Sequence, residues 1–428
     1  MTQGAPADRP DVSLVVRTTA VDPDHLASLV ALLPAPADRP GGDLVAWLRR
    51  GEGLVGWGTA ATVRTTGADR FAEADAWWSA TAARAVVRDE VGEPGSGLVC
   101  FGAMAFADSP GDSVLVVPEV LVGRRGDRAW LTTVSSTGLA GPLDVPAPAE
   151  APEPPAGVRF ADGHLGPDAW MAAVAEAVER IQAGALEKVV LARDLVATAD
   201  ADVDVRWPLR RLAERYPTCW TFHVDGFFGA TPELLVRRER GLVTSRVLAG
   251  TIRRTGDDAR DLMLAATLAR SSKDLEEHEY AVRSVGTSLA PFCSSMNLPE
   301  APFVLHLPNV MHLATDVTGV VHDSATATSL ALAAALHPSA AVGGHPTDVA
   351  VDLIARIEGM PRGRYAGPVG WMDAAGDGEW GIGLRSAEVD GPTVRLFAGC
   401  GVVGDSDPAS ELAEAHAKFV PVRDSLGE

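Results

Sequence analysis

The chain has 428 residues, 46% hydrophobic and 22% charged, an ordinary globular composition with enough apolar material for a large core. Its formal net charge of -20 argues against nucleic acid or an anionic membrane as a partner, so an anionic small molecule would need a local cationic pocket or a metal. The four cysteines, Cys100, Cys219, Cys293 and Cys400, form no CxxC or His/Cys cluster, which argues against a zinc site or disulfide framework and fits a reducing cytoplasm.

Residues 1–11 are polar and Pro-rich and read as disordered, with no apolar leader, and no later run approaches the roughly 20 apolar residues of a membrane span. Residues 12–144 read as an N-terminal subdomain in which short apolar strands such as Leu98–Gly102 and Ser113–Val117 flank a helix expected from Ala72 to Val87. The Pro/Ala-rich stretch 145–157 reads as an extended surface loop. Residues 158–428 carry sharper signals. A helix spans Trp170 to Ile181 and stops near Gly184, and a strand opens at Lys188. Antiparallel strands follow at Thr221–Val224, Leu234–Arg237 and Leu242–Leu248, with Glu239-Arg240-Gly241 as a turn. Helices are expected at Asp257–Ala269, Ser272–Leu289, Ala325–Leu336 and Thr347–Gly359, and strands at Phe303–Leu307 and Val310–Val317. A meander through Tyr365–Asp373, Gly381–Val389 and Thr393–Ala398 then leads into a C-terminal helix. Strands and helices mixed without strict βαβ alternation indicate an α+β protein with large antiparallel sheets.

The richest segment is Leu396-Phe397-Ala398-Gly399-Cys400-Gly401 and the helix after it. An apolar strand ends in two spaced glycines, and Glu411, Glu414 and Lys418 recur at i, i+3 and i+7 on one helix face, where they could hold a hard cation and an anionic ligand. Upstream, carboxylates crowd Ser272–Tyr280 more densely than ion pairing requires, a repulsion that a divalent metal would relieve; a solvated acidic face is the structural alternative. Lys188 at a strand end is a candidate base, and Glu233 ahead of Leu234-Leu235-Val236 a candidate acid if burial raises its pKa. Gly250 permits close backbone approach to a ligand at the end of a strand, and His312 is a core histidine or a site residue. Arg385 interrupts an apolar strand and is suited either to clamp a carboxylate or to form a structural ion pair.

Taken in order, the Lys188-led strand, Pro-Glu-Leu-Leu at 232–235, Leu-Ala-Gly-Thr at 248–251, Glu277-His278, Met-His-Leu-Ala-Thr at 311–315, His-Pro-Ser-Ala-Ala-Val-Gly-Gly at 337–344, Tyr-Ala-Gly-Pro-Val-Gly-Trp at 365–371 and the Glu-rich last helix resemble the chorismate-utilising enzymes. The resemblance covers about residue 166 to the C-terminus and implies an α+β fold, helices on the outer faces of its sheets, with the site between two packed subdomains. It implies Mg2+ held by Glu277 and Glu414, with Glu411 on metal-bound water. Lys188 matches a base that activates water and Glu233 an acid that protonates a departing hydroxyl. Gly250, Thr251, His312, Tyr365, Arg385, Gly399 and Lys418 match positions that hold the ring and carboxylates of chorismate. The resemblance further implies that Lys188 selects water over ammonia, and Ala249 stands where relatives with a nucleophilic lysine carry it. Ala341 matches the synthases, where the lyases have threonine, whereas Tyr365 resembles the lyases. The resemblance thus points to isochorismate synthesis for menaquinone or a catechol siderophore, by a cytoplasmic monomer or homodimer. A salicylate synthase or a non-catalytic chorismate-binding subunit are the other readings.

Overall fold

The computed structural model describes residues 13–36, 44–138, 144–145, 147–306, 310–322 and 327–427. Among them, the strands form one sheet of 13 and a second of ten, nearly all antiparallel. In the first, the order from one edge begins with Arg159–Asp162, Lys188–Thr198, Thr393–Val402, Ser386–Asp390, Phe227–Thr231 and Trp220–Val224, then continues through the N-terminal strands Leu44–Arg49, Glu52–Trp57, Val120–Arg125, Arg128–Ser135, Val15–Val21 and Val86–Asp89. The second runs from Cys293–Asn297 through Val310–Val321, Leu242–Arg253, Leu234–Glu239, Gly378–Ile382 and Pro368–Asp373 to the N-terminal strands Val99–Ala103, Ser113–Val117 and Ala61–Thr65.

The sheets meet over a shared apolar core to which Trp47, Phe222 and Phe227 contribute from the first and Phe101, Val369 and Trp371 from the second. Eight α-helices are described: α1 Arg70–Arg84, α2 Pro167–Gln182, α3 Arg206–Arg215, α4 Asp258–Leu268, α5 Ser272–Leu289, α6 Ser329–Leu336, α7 Thr347–Ile357 and α8 Pro408–Ser425. α8 packs on strand Thr393–Val402 with α2 and α3 beside it, and α5 packs on Leu242–Arg253 and Val310–Val321 of the other sheet. None of these helices is long and apolar enough to cross a membrane.

Several elements depart from the sequence expectation. The helix expected to reach Val87 ends at Arg84, and Val86–Asp89 forms an edge strand parallel to Val15–Thr18. Two adjacent β-branched residues favour that pleat, but the partner strand is 71 positions away and leaves no local trace. Gly250 does not end its strand. The strand runs on to Arg253, and Gly250, at φ +74°, forms the bulge where register shifts between Ala249 and Thr251 against Val310–Val321. Gly399 and Gly401 likewise lie within a strand, paired with Ala192 and Val190. Arg385 sits at φ +50° in the connector between Gly378–Ile382 and Ser386–Asp390, outside either strand.

Candidate active site

Two connectors carry the chain between the sheets and run side by side. Thr231 closes a strand of the 13-stranded sheet and Leu234 opens one of the ten-stranded sheet, so Glu233 stands at the first crossing. Arg385 stands at the return crossing, after Gly378–Ile382 and before Ser386–Asp390. Backbone hydrogen bonds zip the two together: Ala230 N–H donates to the Arg385 carbonyl at 3.2 Å, and Ile382 N–H to the Glu233 carbonyl at 3.1 Å. A carboxyl and a guanidinium are thereby fixed near each other where the sheets face.

Lys188 enters from the 13-stranded sheet. It opens the strand Lys188–Thr198, opposite His345, and its half-buried side chain passes over Gly401. A Cβ at 401 would lie 3.0 Å from Lys188 Cε, so the glycine leaves the room in which the lysine lies. Gly399 does the same for Tyr365, whose hydroxyl would sit 3.0 Å from a Cβ there. The Tyr365 ring is buried and stacked on Phe397, with centroids 5.2 Å apart. The Gly399 carbonyl accepts a hydrogen bond from Lys418 Nζ at 2.9 Å, and the same ammonium pairs with Glu414 Oε1 at 2.7 Å. Glu411 accepts from Ser406 Oγ at 2.8 Å.

Charges converge on this space. Burial pushes the Glu233 carboxyl up to about 7, although the cations Arg385, Lys188 and Lys418 pull it down. Burial likewise brings His312 down to about 4, with Arg385 and Lys418 adding to the effect, while its ring is hydrogen-bonded to the Gly250 backbone. His312 is therefore a neutral imidazole at physiological pH. Burial would raise Glu414, but the Lys418 charge and hydrogen bond outweigh it and hold the carboxyl below its ordinary value; Glu411, with burial dominant, lies above. Burial pushes the Tyr365 hydroxyl well up, so it stays a neutral donor. Among the described residues, the half-buried Arg385 guanidinium has no hydrogen bond or ion pair, which leaves its donor fork open for a planar anion.

The structure thus brings Lys188, Glu233, Gly250, His312, Tyr365, Arg385, Gly399, Glu411, Glu414 and Lys418 into one region. Ala341 lies exposed in the turn before Val342. Glu277 belongs to α5 and Thr251 to the strand Leu242–Arg253 by their backbones, and their side chains fall outside the described residues.

Sequence reasoning missed two features. Cys400 brings its Sγ within 4.8 Å of a carboxylate oxygen of both Glu411 and Glu414. The two carboxylates suit a hard, oxygen-seeking cation such as Mg2+; the thiol, pushed up to about 12 by burial, does not. The second feature is a buried ion pair. Arg362 binds Glu358 through two hydrogen bonds of 2.7 and 2.6 Å and also donates to the Val190 and Val342 carbonyls, while Glu358 Oε2 accepts from Ala192 N–H. The pair ties the Lys188 strand to the end of α7 and to the Ala341 turn. Its i,i+4 spacing was visible in the sequence, but ion pairs at that spacing are common on exposed helices and carry no mark of burial.

Two antiparallel sheets that set a half-buried lysine, a carboxyl raised by burial and a half-buried guanidinium with no partner among the described residues beside a glutamate-bearing helix describe an enzyme site for a small anion. The family model for chorismate binding enzymes matches residues 15–140 and 144–427, and the chain belongs to that family. Within it, the chain is similar to isochorismate synthases. It is 36% identical over 348 residues to the putative isochorismate synthase MenF of Mycobacterium tuberculosis, covering 78% of this chain and 87% of the relative. It is 37% identical over 267 residues to isochorismate synthase MenF of Bacillus subtilis, covering 61% of this chain and 56% of that protein. The solved structure of MenF, the menaquinone-specific isochorismate synthase from Escherichia coli, is similar with a TM-score of 0.80 at 25% identity, covering 97% of this chain and 95% of that one.

Proposed function

We propose that the protein is an isochorismate synthase that converts chorismate to isochorismate by adding water at C2 with loss of the C4 hydroxyl. The observation that carries this reading is the placement of Lys188 and of a Glu233 carboxyl with pKa about 7 in one site beside Arg385, whose guanidinium has no partner among the described residues. In its unprotonated form Lys188 Nζ takes a proton from water as the oxygen bonds to C2 and the ring double bonds shift. Glu233 gives its proton to the C4 hydroxyl, which leaves as water, and both groups reset by exchange with solvent. One water enters and one leaves, so the reaction is a net isomerisation.

Arg385 and Lys418 offer cationic donors to the substrate carboxylates, Tyr365 and neutral His312 offer hydrogen bonds, and Gly250, Thr251 and Gly399 match positions that hold the ring and carboxylates in the family. Ala341 stands where the resemblance puts a threonine in the lyases. Glu414 and Glu277 would hold Mg2+, with Glu411 on its bound water. When bound, the ion supplies Lewis-acid charge compensation for a substrate carboxylate. Relatives named for menaquinone and for 2,3-dihydroxybenzoate support a role in one of those two routes. The four free cysteines fit a cytoplasmic enzyme.

The test is to incubate purified protein with chorismate, with and without Mg2+, and identify products by chromatography and mass spectrometry. Isochorismate without pyruvate supports the reading, provided Lys188→Ala lowers kcat by about 100-fold. Salicylate with pyruvate would move the assignment to salicylate synthase. Binding without turnover would make the protein a chorismate-binding subunit.

A further inference from the structure

We propose that Tyr280 and His345 form a latch across the mouth of the site, holding α5 against the strand that begins at Lys188. This rests on the reading above, in which α5 supplies a metal ligand through Glu277.

The two sides of the contact belong to different sheets. α5 lies on the ten-stranded sheet, where the buried His278 meets Thr315 Oγ1 at 2.7 Å through Nε2. His345 belongs to the short strand Gly344–His345 of the 13-stranded sheet, paired directly with Lys188, and its carbonyl accepts from Glu187 N–H at 2.9 Å. The Tyr280 hydroxyl spans the gap, 2.8 Å from both Nδ1 and Nε2 of His345, and the rings meet edge to face with centroids 4.7 Å apart. A neutral imidazole offers that hydroxyl an acceptor in either tautomer.

The latch acts on the position of α5. His278 fixes the helix to one sheet and Tyr280 to the other, so the helix cannot rotate or slide without breaking one of them. Glu277 is one residue from the first anchor and three from the second, and i,i+3 spacing sets 277 and 280 on the same side of the helix. Tyr280 and His345 are positioning residues. Neither is needed for the chemistry, and their loss should weaken the metal site without changing the reaction at saturation.

The experiment compares wild type, Tyr280→Phe, His345→Ala, His345→Gln and the Tyr280→Phe/His345→Ala double variant in isochorismate formation across a Mg2+ titration. Losing one hydrogen bond of about 0.5–1.5 kcal/mol predicts a rise of about 2- to 12-fold in half-saturating Mg2+ for Tyr280→Phe and His345→Ala. kcat at saturating Mg2+ should stay within about twofold of wild type, since the reacting groups are untouched. His345→Gln, which keeps a hydrogen-bonding side chain, should recover part of the affinity, and the double variant should be no worse than the worse single. An unchanged Mg2+ dependence in Tyr280→Phe, or a loss of kcat that saturating Mg2+ does not restore, overturns the latch. If wild type forms no product, the functional reading fails on its own, and amide hydrogen exchange then decides the latch. Faster exchange in α5 of Tyr280→Phe supports it, and identical exchange overturns it.

Discussion

Glu233 shows how a residue type acquires a role from its surroundings. Its carboxyl would ionise near 4.5, but burial holds the proton to about 7, against the pull of three cations. A group that must donate a proton is competent below its pKa, so kcat/KM of wild type should fall as pH rises through about 7. Glu233→Gln should cost about 100-fold in kcat, and its residual rate should lack that descending limb. A pH–rate profile of both proteins checks this, and a limb that persists in the variant would assign it to another group. As types, Lys188 and Glu233 were legible, since each is the charge that directly opens an apolar run. The left-handed backbone of Arg385 was not. The sequence marks it only as a cation among apolar neighbours, and the crossing that exposes its guanidinium comes from strand pairing elsewhere.

Among the elements, α8 was the most legible, because helical spacing alone sets Glu411, Glu414 and Lys418 on one side. The structure adds an N-cap, Asp407, which accepts from Ser410 N–H at 2.8 Å and places an acidic side chain at the positive end of the helix. It also adds a competition, since Lys418 occupies Glu414 at 2.7 Å and a cation entering there must share that carboxylate. Glu414→Ala should therefore remove Mg2+-dependent activity and leave Lys418 on the Gly399 carbonyl. Calorimetric Mg2+ titration beside an activity assay with chelator checks the loss. Full activity in chelator would contradict the metal assignment. Boundaries were less legible than existence. α5 was expected at its observed limits, whereas α1 was drawn over Val86 and Val87 because parallel pairing with residues 15–18 has no local signature.

For the whole molecule, the α+β class and the antiparallel sheets follow from pattern, but the way the N-terminal third joins them does not. Leu44–Arg49 pairs with Trp220–Val224, and Val99–Ala103 with Pro368–Asp373, so each sheet runs unbroken from C-terminal into N-terminal strands. The strands on the C-terminal side of both seams are buried along their whole length. A chain beginning at residue 158 would bare two long apolar edges and should aggregate or lose cooperative melting, as light scattering and circular dichroism would report. A monomeric, cooperatively melting fragment would show that the seams are dispensable.

The paired crossings have a mechanical consequence. Each is tied at one end to one sheet and at the other end to its neighbour, and they are zipped to each other. Shear between the sheets would carry Lys188 with one and His312 with the other, so that the gap between them widens or narrows. Glu233 and Arg385, riding together on the pivot, would keep their spacing throughout. Any such displacement would therefore act on the gap between Lys188 and His312 and leave the Glu233–Arg385 spacing to the zip between the crossings.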